Sequence, residues 1–391
     1  MTKSVVLTEQ SQKRIRLAVF LIFFFVGLCF SSWASRIPEL KASLGLNDAE
    51  WGLMLLMIPM GQLAGMSFSG WIISRLGSNR ILIVAVAGYA LMLLGIGSFT
   101  SQYLFIASLI LFGFFGNFCN IAMNTQAVIA ENHYSRPIMA SFHGGWSLAG
   151  LCGGLIGLVM TIKDIPIYIH FGVVCVIIII GSMFQYRYLQ YDAMPRKQQS
   201  QSNKKDKVPF ENFLILFGIV GFTGWATEGT MADWNGIYLE EIVGIAGKYT
   251  PIGLVAYMIT MTIGRFFMDR ATARWGRRTI LCACGAAIFS GMMLCVALPY
   301  PTTTIIGYMI VGFGACGVIP ALYSAAGELT KMHTSRAITI VSTISFAGFL
   351  FGPPLIGYIS QLTNLKCAFA LIGILGLLAW ILSANIKALR R

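Results

Sequence analysis

The residues with most chemistry to offer are acids set inside apolar stretches. In GWATEGTMADW, Glu228 and Asp233 stand among apolar and small residues. A carboxylate in hydrocarbon is costly and by default marks a proton or substrate path. Glu228, near the middle of its stretch, reads as a proton carrier. Asp233, nearer the end, reads as its partner or as an outer gate. Five residues apart, the two point ~140° apart on an ideal helix. Both can face one cavity if the helix bends, and Gly221, Gly224, Gly229 and Gly236 permit a bend. The structural alternative is that each acid pairs with a fixed arginine or amide, Arg36 being one candidate.

A second constellation is an amide stripe. Gly113, Asn117, Asn120 and Asn124 follow i, i+4, i+7, i+11 spacing and share one helix face. Three asparagines there offer donors and acceptors to a polar solute, or hydrogen-bond a neighbouring helix. On a further face, His143 precedes Ser147, Gly150 and Gly154. A histidine can protonate near neutral pH, or it can be a satisfied hydrogen-bonder. Trp146, Trp225, Tyr257 and Tyr323 can stack on a ring or pack the core. Arg265 lies inside an apolar stretch. With Arg75, Asp269, Arg270, Arg274, Arg277 and Arg278 it reads as a cytoplasmic gate, or in part as topology-setting charge. There is no phosphate-binding loop, zinc spacing or Ser/His/Asp set. No enzyme activity, cofactor or metal is expected, and the nine cysteines read as small buried packing residues.

The elements that must position these residues follow from composition. The chain has 391 residues, 57% hydrophobic and 11% charged, against ~25% charged in soluble domains. Mean hydropathy is +0.74. A soluble surface is excluded, and the long unbroken apolar runs exclude a barrel of alternating strands. A spanning helix needs ~20 apolar residues. Such windows fall at roughly 15–35, 51–74, 80–99, 103–127, 138–160 and 165–186, then roughly 211–238, 250–268, 279–298, 302–327, 336–360 and 366–386. The expected fold is an all-α polytopic membrane protein of 12 transmembrane helices in two six-helix halves. The halves are residues 1–186 and 209–391, joined by a polar cytoplasmic linker, 187–208, carrying RKQQSQSNKKDK. The first apolar run reads as a span, not a removable signal peptide. Asn47 and Glu50 read as a capping box.

The net charge of +13 on a soluble chain would suggest nucleic acid. Here it has another cause. With both termini inside, Arg36, Lys41, Lys163, Lys248 and Lys366 fall on outer loops and Arg265 within a span; the other basic residues fall on cytoplasmic loops and tails. That is the positive-inside bias, so no nucleic-acid partner is expected.

The halves repeat each other. GMSFSGWIISRLGSNR (65–80) aligns with GRFFMDRATARWGRRT (264–279) at an offset of 199. SRPIMASFHGGWSLAGLCGGLIG (135–157) aligns with SRAITIVSTISFAGFLFGPPLIG (335–357) at an offset of 200. Two matches in the same order argue for a duplicated six-helix unit. With this layout, the basic loop after each half's second helix resembles that of the major facilitator superfamily, with its approximate G-x-x-x-D-R/K-x-G-R-R/K signature. Asp269, Arg270, Arg274, Gly276, Arg277 and Arg278 resemble it well. The first-half copy is degraded to Gly70, Ser74, Arg75, Gly77 and Arg80, with Ser74 in the usual Asp place. SRIPELKASLGL and EGTMADWNGIYL resemble a bacterial branch related to fucose permeases, although that group's proton-linked acids in helices 1 and 4 are missing here.

The resemblance implies a secondary transporter of the bacterial inner membrane, both termini cytoplasmic, working by alternating access as a monomer. Its expected partners are a small polar substrate, sugar-like in one version, protons and the lipid bilayer. Glu228, Asp233 and His143 are the proton-coupling candidates. Asn117, Asn120, Asn124, Trp146, Trp225, Tyr257, Tyr323 and Arg36 are the substrate-binding candidates. Two alternatives stay open: proton-linked efflux of amphipathic compounds, and a non-transporting membrane sensor. GLCGGLIG (150–157) lacks the proline of drug antiporters, which weighs against efflux.

Overall fold

The computed structural model describes residues 9–99, 101–134, 138–191, 211–330 and 334–390. Most of the expected linker at 187–208 lies outside these. In chain order the α-helices are α1 (Glu9–Ser35), α2 (Ile37–Leu44), α3 (Asp48–Leu76), α4 (Ser78–Ser98), α5 (Gln102–Glu131), α6 (Met139–Ile162) and α7 (Ile167–Tyr186). They continue as α8 (Phe213–Asp233), α9 (Asn235–Glu241), α10 (Pro251–Trp275), α11 (Arg277–Ala297), α12 (Pro301–Leu329), α13 (Thr334–Leu362) and α14 (Leu365–Asn385). Among the described residues, twelve helices are long and apolar enough to cross a membrane. They match the twelve apolar windows, and α2 and α9 are short extras beside them. Backbone polar groups in hydrocarbon must be satisfied within the segment, which is why these runs form helices.

Local signals set several boundaries. Asn47 and Glu50 cap α3 reciprocally: the Glu50 amide donates to Asn47 Oδ1 and the Asn47 amide to Glu50 Oε2, both at 2.9 Å. Pro251 and Pro301 open α10 and α12, where a missing amide proton costs nothing.

The chain packs as two units. One comprises α1 up to Trp33, Met57–Gly153 and the segment from Pro166 through α7; the other comprises Ala34–Leu56, Gly154–Ile165 and α8 through α14. Two segments of the chain's first half, Ala34–Leu56 and Gly154–Ile165, group with the second unit.

The repeat reappears inside each unit. Gly77 and Gly276, paired at the offset of 199, both break a helix with φ of 89° and 79°. In the first unit, a Cβ on Gly113 would collide with the Ile58 carbonyl, so α5 crosses α3 backbone to backbone. In the second, a Cβ on Gly312 would collide with the Tyr257 carbonyl, so α12 crosses α10 in the same way. Both partners are displaced by the same 199 residues. Small residues at such crossings are how membrane helices approach closely.

Candidate functional site

The second unit gathers the chemistry. Trp225 and Glu228 lie three residues apart on one face of α8. Tyr257, Met261 and Arg265 step along α10 at i, i+4, i+8. An Arg265 guanidinium nitrogen stands 3.4 Å from Glu228 Oε1, with 20% and 16% of the two side chains exposed. The pair is thus neither sealed in the core nor on an open surface. Tyr257 is buried, 1% exposed, and its hydroxyl makes no hydrogen bond among the described residues. It lies within electrostatic reach of both charges. From α12, Cys316 and Tyr323 are brought to the same place, Cys316 near both charges and Tyr323 near Glu228 and Trp225. Trp225 Nε1 points toward Tyr323 without closing a hydrogen bond, and its ring meets Phe349 edge-on at 5.8 Å. The α10–α12 crossing at Gly312 is what places Tyr257, Arg265, Cys316 and Tyr323 together.

Asp233 closes α8. It is buried, 7% exposed, with no ion pair or hydrogen bond among the described residues. Arg36, the candidate partner for these acids, pairs elsewhere in the second unit. Its guanidinium meets Glu39 at 2.8 Å and donates to the Ile165 carbonyl at 2.6 Å and to Thr161 Oγ1 at 3.4 Å. Burial draws the Arg36 guanidinium down from its ordinary value despite Glu39, and burial pushes the Glu39 carboxyl up despite Arg36.

The first unit holds the amide stripe and His143. Asn117 is buried against Gly65, whereas Asn120 is exposed. Asn124 donates to Asn120, to its Oδ1 at 2.9 Å and its carbonyl at 2.8 Å, so part of the stripe's capacity is used internally. His143 meets the Phe23 ring edge-on at 5.3 Å, and Trp146 stacks on Phe30 at 6.2 Å.

The basic loop residues find local partners. Arg75 lies over the Trp71 ring at 4.2 Å, and Arg274 near that of Trp275 at 5.7 Å. Arg277 pairs with Glu328 at 2.6 Å, and Arg278 donates to the Ala384 carbonyl at 2.7 Å. Arg270 is exposed, and the Asp269 side chain lies outside what is described. A cavity of about 460 Å³ opens nearby, lined by Met268, Thr272, Arg277, Pro320, Ser324 and Leu389 among others. Its arginine is already committed to Glu328, and its lining includes neither Glu228 nor Arg265.

One further cluster has no signature in the sequence. Lys41 of α2 holds both Asp48 of α3 and Glu241 of α9, the latter at 2.6 Å, and Ser360 of α13 donates to Asp48. Burial opposes the Lys41 ammonium, but the hydrogen bonds to Asp48 and Glu241 outweigh it and hold the group above its ordinary value. Lys41 and Glu241 are 200 residues apart in the chain, so spacing carries no trace of the pairing. The available hint was an acid-and-lysine pair flanking the short LKASLGLND segment.

Twelve candidate spans among the described residues, with a repeated helix set, mark a polytopic membrane protein. The sequence matches the Major Facilitator Superfamily over residues 19–238 and 216–387, and the chain belongs to that family. An uncharacterized MFS-type transporter of Yersinia pestis is 32% identical over 372 residues, covering 95% of this chain and 94% of that one. A cis,cis-muconate transport protein of Acinetobacter baylyi is 21% identical over 357 residues, covering 86% and 85%. The crystal structure of a D-xylose-proton symporter superposes with a TM-score of 0.75 at 12% identity, covering 94% and 97%. The family and these relatives are transporters, not enzymes.

Proposed function

We propose that the protein moves a small polar solute across the bacterial inner membrane by alternating access, coupled to protons through Glu228. Both termini face the cytoplasm, and the chain works as a monomer within the branch related to fucose permeases. The observation that carries the coupling is the Glu228–Arg265 pair, which joins two spanning helices at 3.4 Å. Charges inside spans are rare and tend to serve ion or substrate paths. An acid whose counter-ion is a single arginine can exchange that partner for a proton during a cycle. Asp233 is a second proton site on the same helix, and His143 a third candidate in the other unit. The branch resemblance supports a sugar-like solute, and the name of the Acinetobacter relative supports an organic acid.

The test is transport in proteoliposomes under an imposed inward proton gradient. The Glu228→Gln variant should keep exchange of substrate at equal pH and lose gradient-driven accumulation. Accumulation at the wild-type level in that variant overturns the coupling role.

A further inference from the structure

We infer that Lys41, Asp48, Glu241 and Ser360 form an outer latch, which holds α2 and α3 against α9 and α13 and releases once in each transport cycle. This rests on the alternating-access reading above and adds the contact that must break.

Residues of both sequence halves meet here. Lys41 and Asp48 come from the first six-helix half and Glu241 and Ser360 from the second, yet all four lie in one packed unit. Lys41 bridges Asp48 of its own half and Glu241 of the other, the latter at 2.6 Å, and Ser360 donates across to Asp48. The backbones beneath approach just as closely. A Cβ on Gly357 of α13 would collide with the Asp48 carbonyl, and one on Gly52 of α3 would stand 2.9 Å from that of Pro353. Beside this crossing the short helices touch: a Cβ on Gly236 of α9 would lie 2.7 Å from Pro38 Cγ of α2. Halves that rock about a central site must part on the outer side in every cycle. In the topology proposed above this seam is on that side, so it is shut in the structure and has to open.

The charges sort into a pair that stays and a partner that lets go. Lys41 and Asp48 have side chains only 10% and 13% exposed and sit on the same half, whereas the Glu241 side chain is 43% exposed. On opening, Lys41 keeps Asp48 and Glu241 passes to water, which costs little for an exposed acid. Ser360 exchanges its acceptor for water. No buried charge is stranded, so the tie can break and re-form. Salt screens an ion pair with an exposed partner, so ionic strength acts on the same contact.

The experiment is hydrogen exchange, read by mass spectrometry, on purified full-length protein in lipid nanodiscs with no added solute. Glu241→Gln is the main variant, because Lys41 still neutralises Asp48 in it. It should speed exchange at residues 48–56 and 353–362 by about 2–5-fold, the range for losing an exposed ion pair. Exchange at the cytoplasmic residues 270–280 and 321–329 should slow in the same sample, because opening one side closes the other. Lys41→Met should act in the same direction, and Lys41→Arg should resemble the wild type. Raising NaCl to about 1 M should loosen the outer ends of the wild type and add little in Glu241→Gln. Unchanged outer exchange in Glu241→Gln overturns the inference. So does faster outer exchange without slower cytoplasmic exchange, which makes the network a static brace. The two readings fail separately. A reciprocal shift in a protein that accumulates no solute under a proton gradient sinks the transport reading alone. Gradient-driven accumulation with no reciprocal shift sinks the latch alone.

Discussion

Glu228 and Asp233 share a helix but have different surroundings, and the difference predicts different behaviour. Glu228 has Arg265 as a counter-ion, while Asp233 is buried with no charged partner among the described residues. Replacing Glu228 removes the Arg265–Glu228 ion pair. Replacing Asp233 by Asn keeps the shape and removes the demand for a buried charge. Asp233→Asn should hold stability within about 0.5 kcal/mol or raise it, while gradient-driven accumulation falls severalfold. Thermal unfolding and uptake measured on one preparation check both halves. A large drop in stability with uptake intact makes Asp233 structural. The two acids were legible in the sequence because an acid in an apolar run is conspicuous. Arg265 is equally conspicuous as a base inside a span, but in sequence it stands next to the basic loop that follows it. Its pairing with Glu228 depends on how α10 lies against α8, and helix periodicity does not encode that.

At the scale of elements, the site depends on how closely α12 approaches α10. The absence of a side chain at Gly312 lets the helix backbones meet at Tyr257, four and eight residues before Met261 and Arg265. A methyl group there must displace one helix, because what it meets is a backbone carbonyl. Gly312→Ala should cost about 1–3 kcal/mol, the range for overpacking, and should also weaken substrate binding by shifting Tyr257 and Arg265. Gly70 on α3 is the contrasting position, since nothing lies within 4 Å of the added carbon. Gly70→Ala should leave binding unchanged and stabilise by up to about 1 kcal/mol through helix propensity. Thermal unfolding of both variants distinguishes a packing role at Gly312 from a general effect of adding a methyl. The helices themselves were legible because their length and apolarity are set by the bilayer. An offset of 199 relates Gly113 to Gly312, although neither lies in the two aligned segments. That these glycines mark equivalent helix crossings became visible only with the backbone in place.

At the scale of the whole molecule, what ties distant parts of the chain together matters most. In the second unit, Lys41 joins α2 to α3 and α9, and Ser360 extends the network to α13. In sequence Lys41 looks like a loop lysine of an outer segment, and a single loop lysine carries no sign of acids brought to it from elsewhere. Lys41 is buried and Asp48 nearly so, whereas Glu241 is 43% exposed at its side chain. Removing the lysine strands Asp48, but solvent screens Glu241. Lys41→Met should therefore destabilise by about 1–3 kcal/mol, below the 3–5 of a fully buried pair, and Glu241→Gln by less. The pH dependence has a definite sign. A lysine held above its ordinary value of 10.5 stabilises the fold fully below that value and loses the contribution as pH rises through its folded value. The stability gap between wild type and Lys41→Met should thus stay constant from neutral pH to about pH 10 and close above it. A gap that closes already between pH 7 and 9 means that the ammonium does not hold this network together, and that the effect of Lys41→Met is loss of packing.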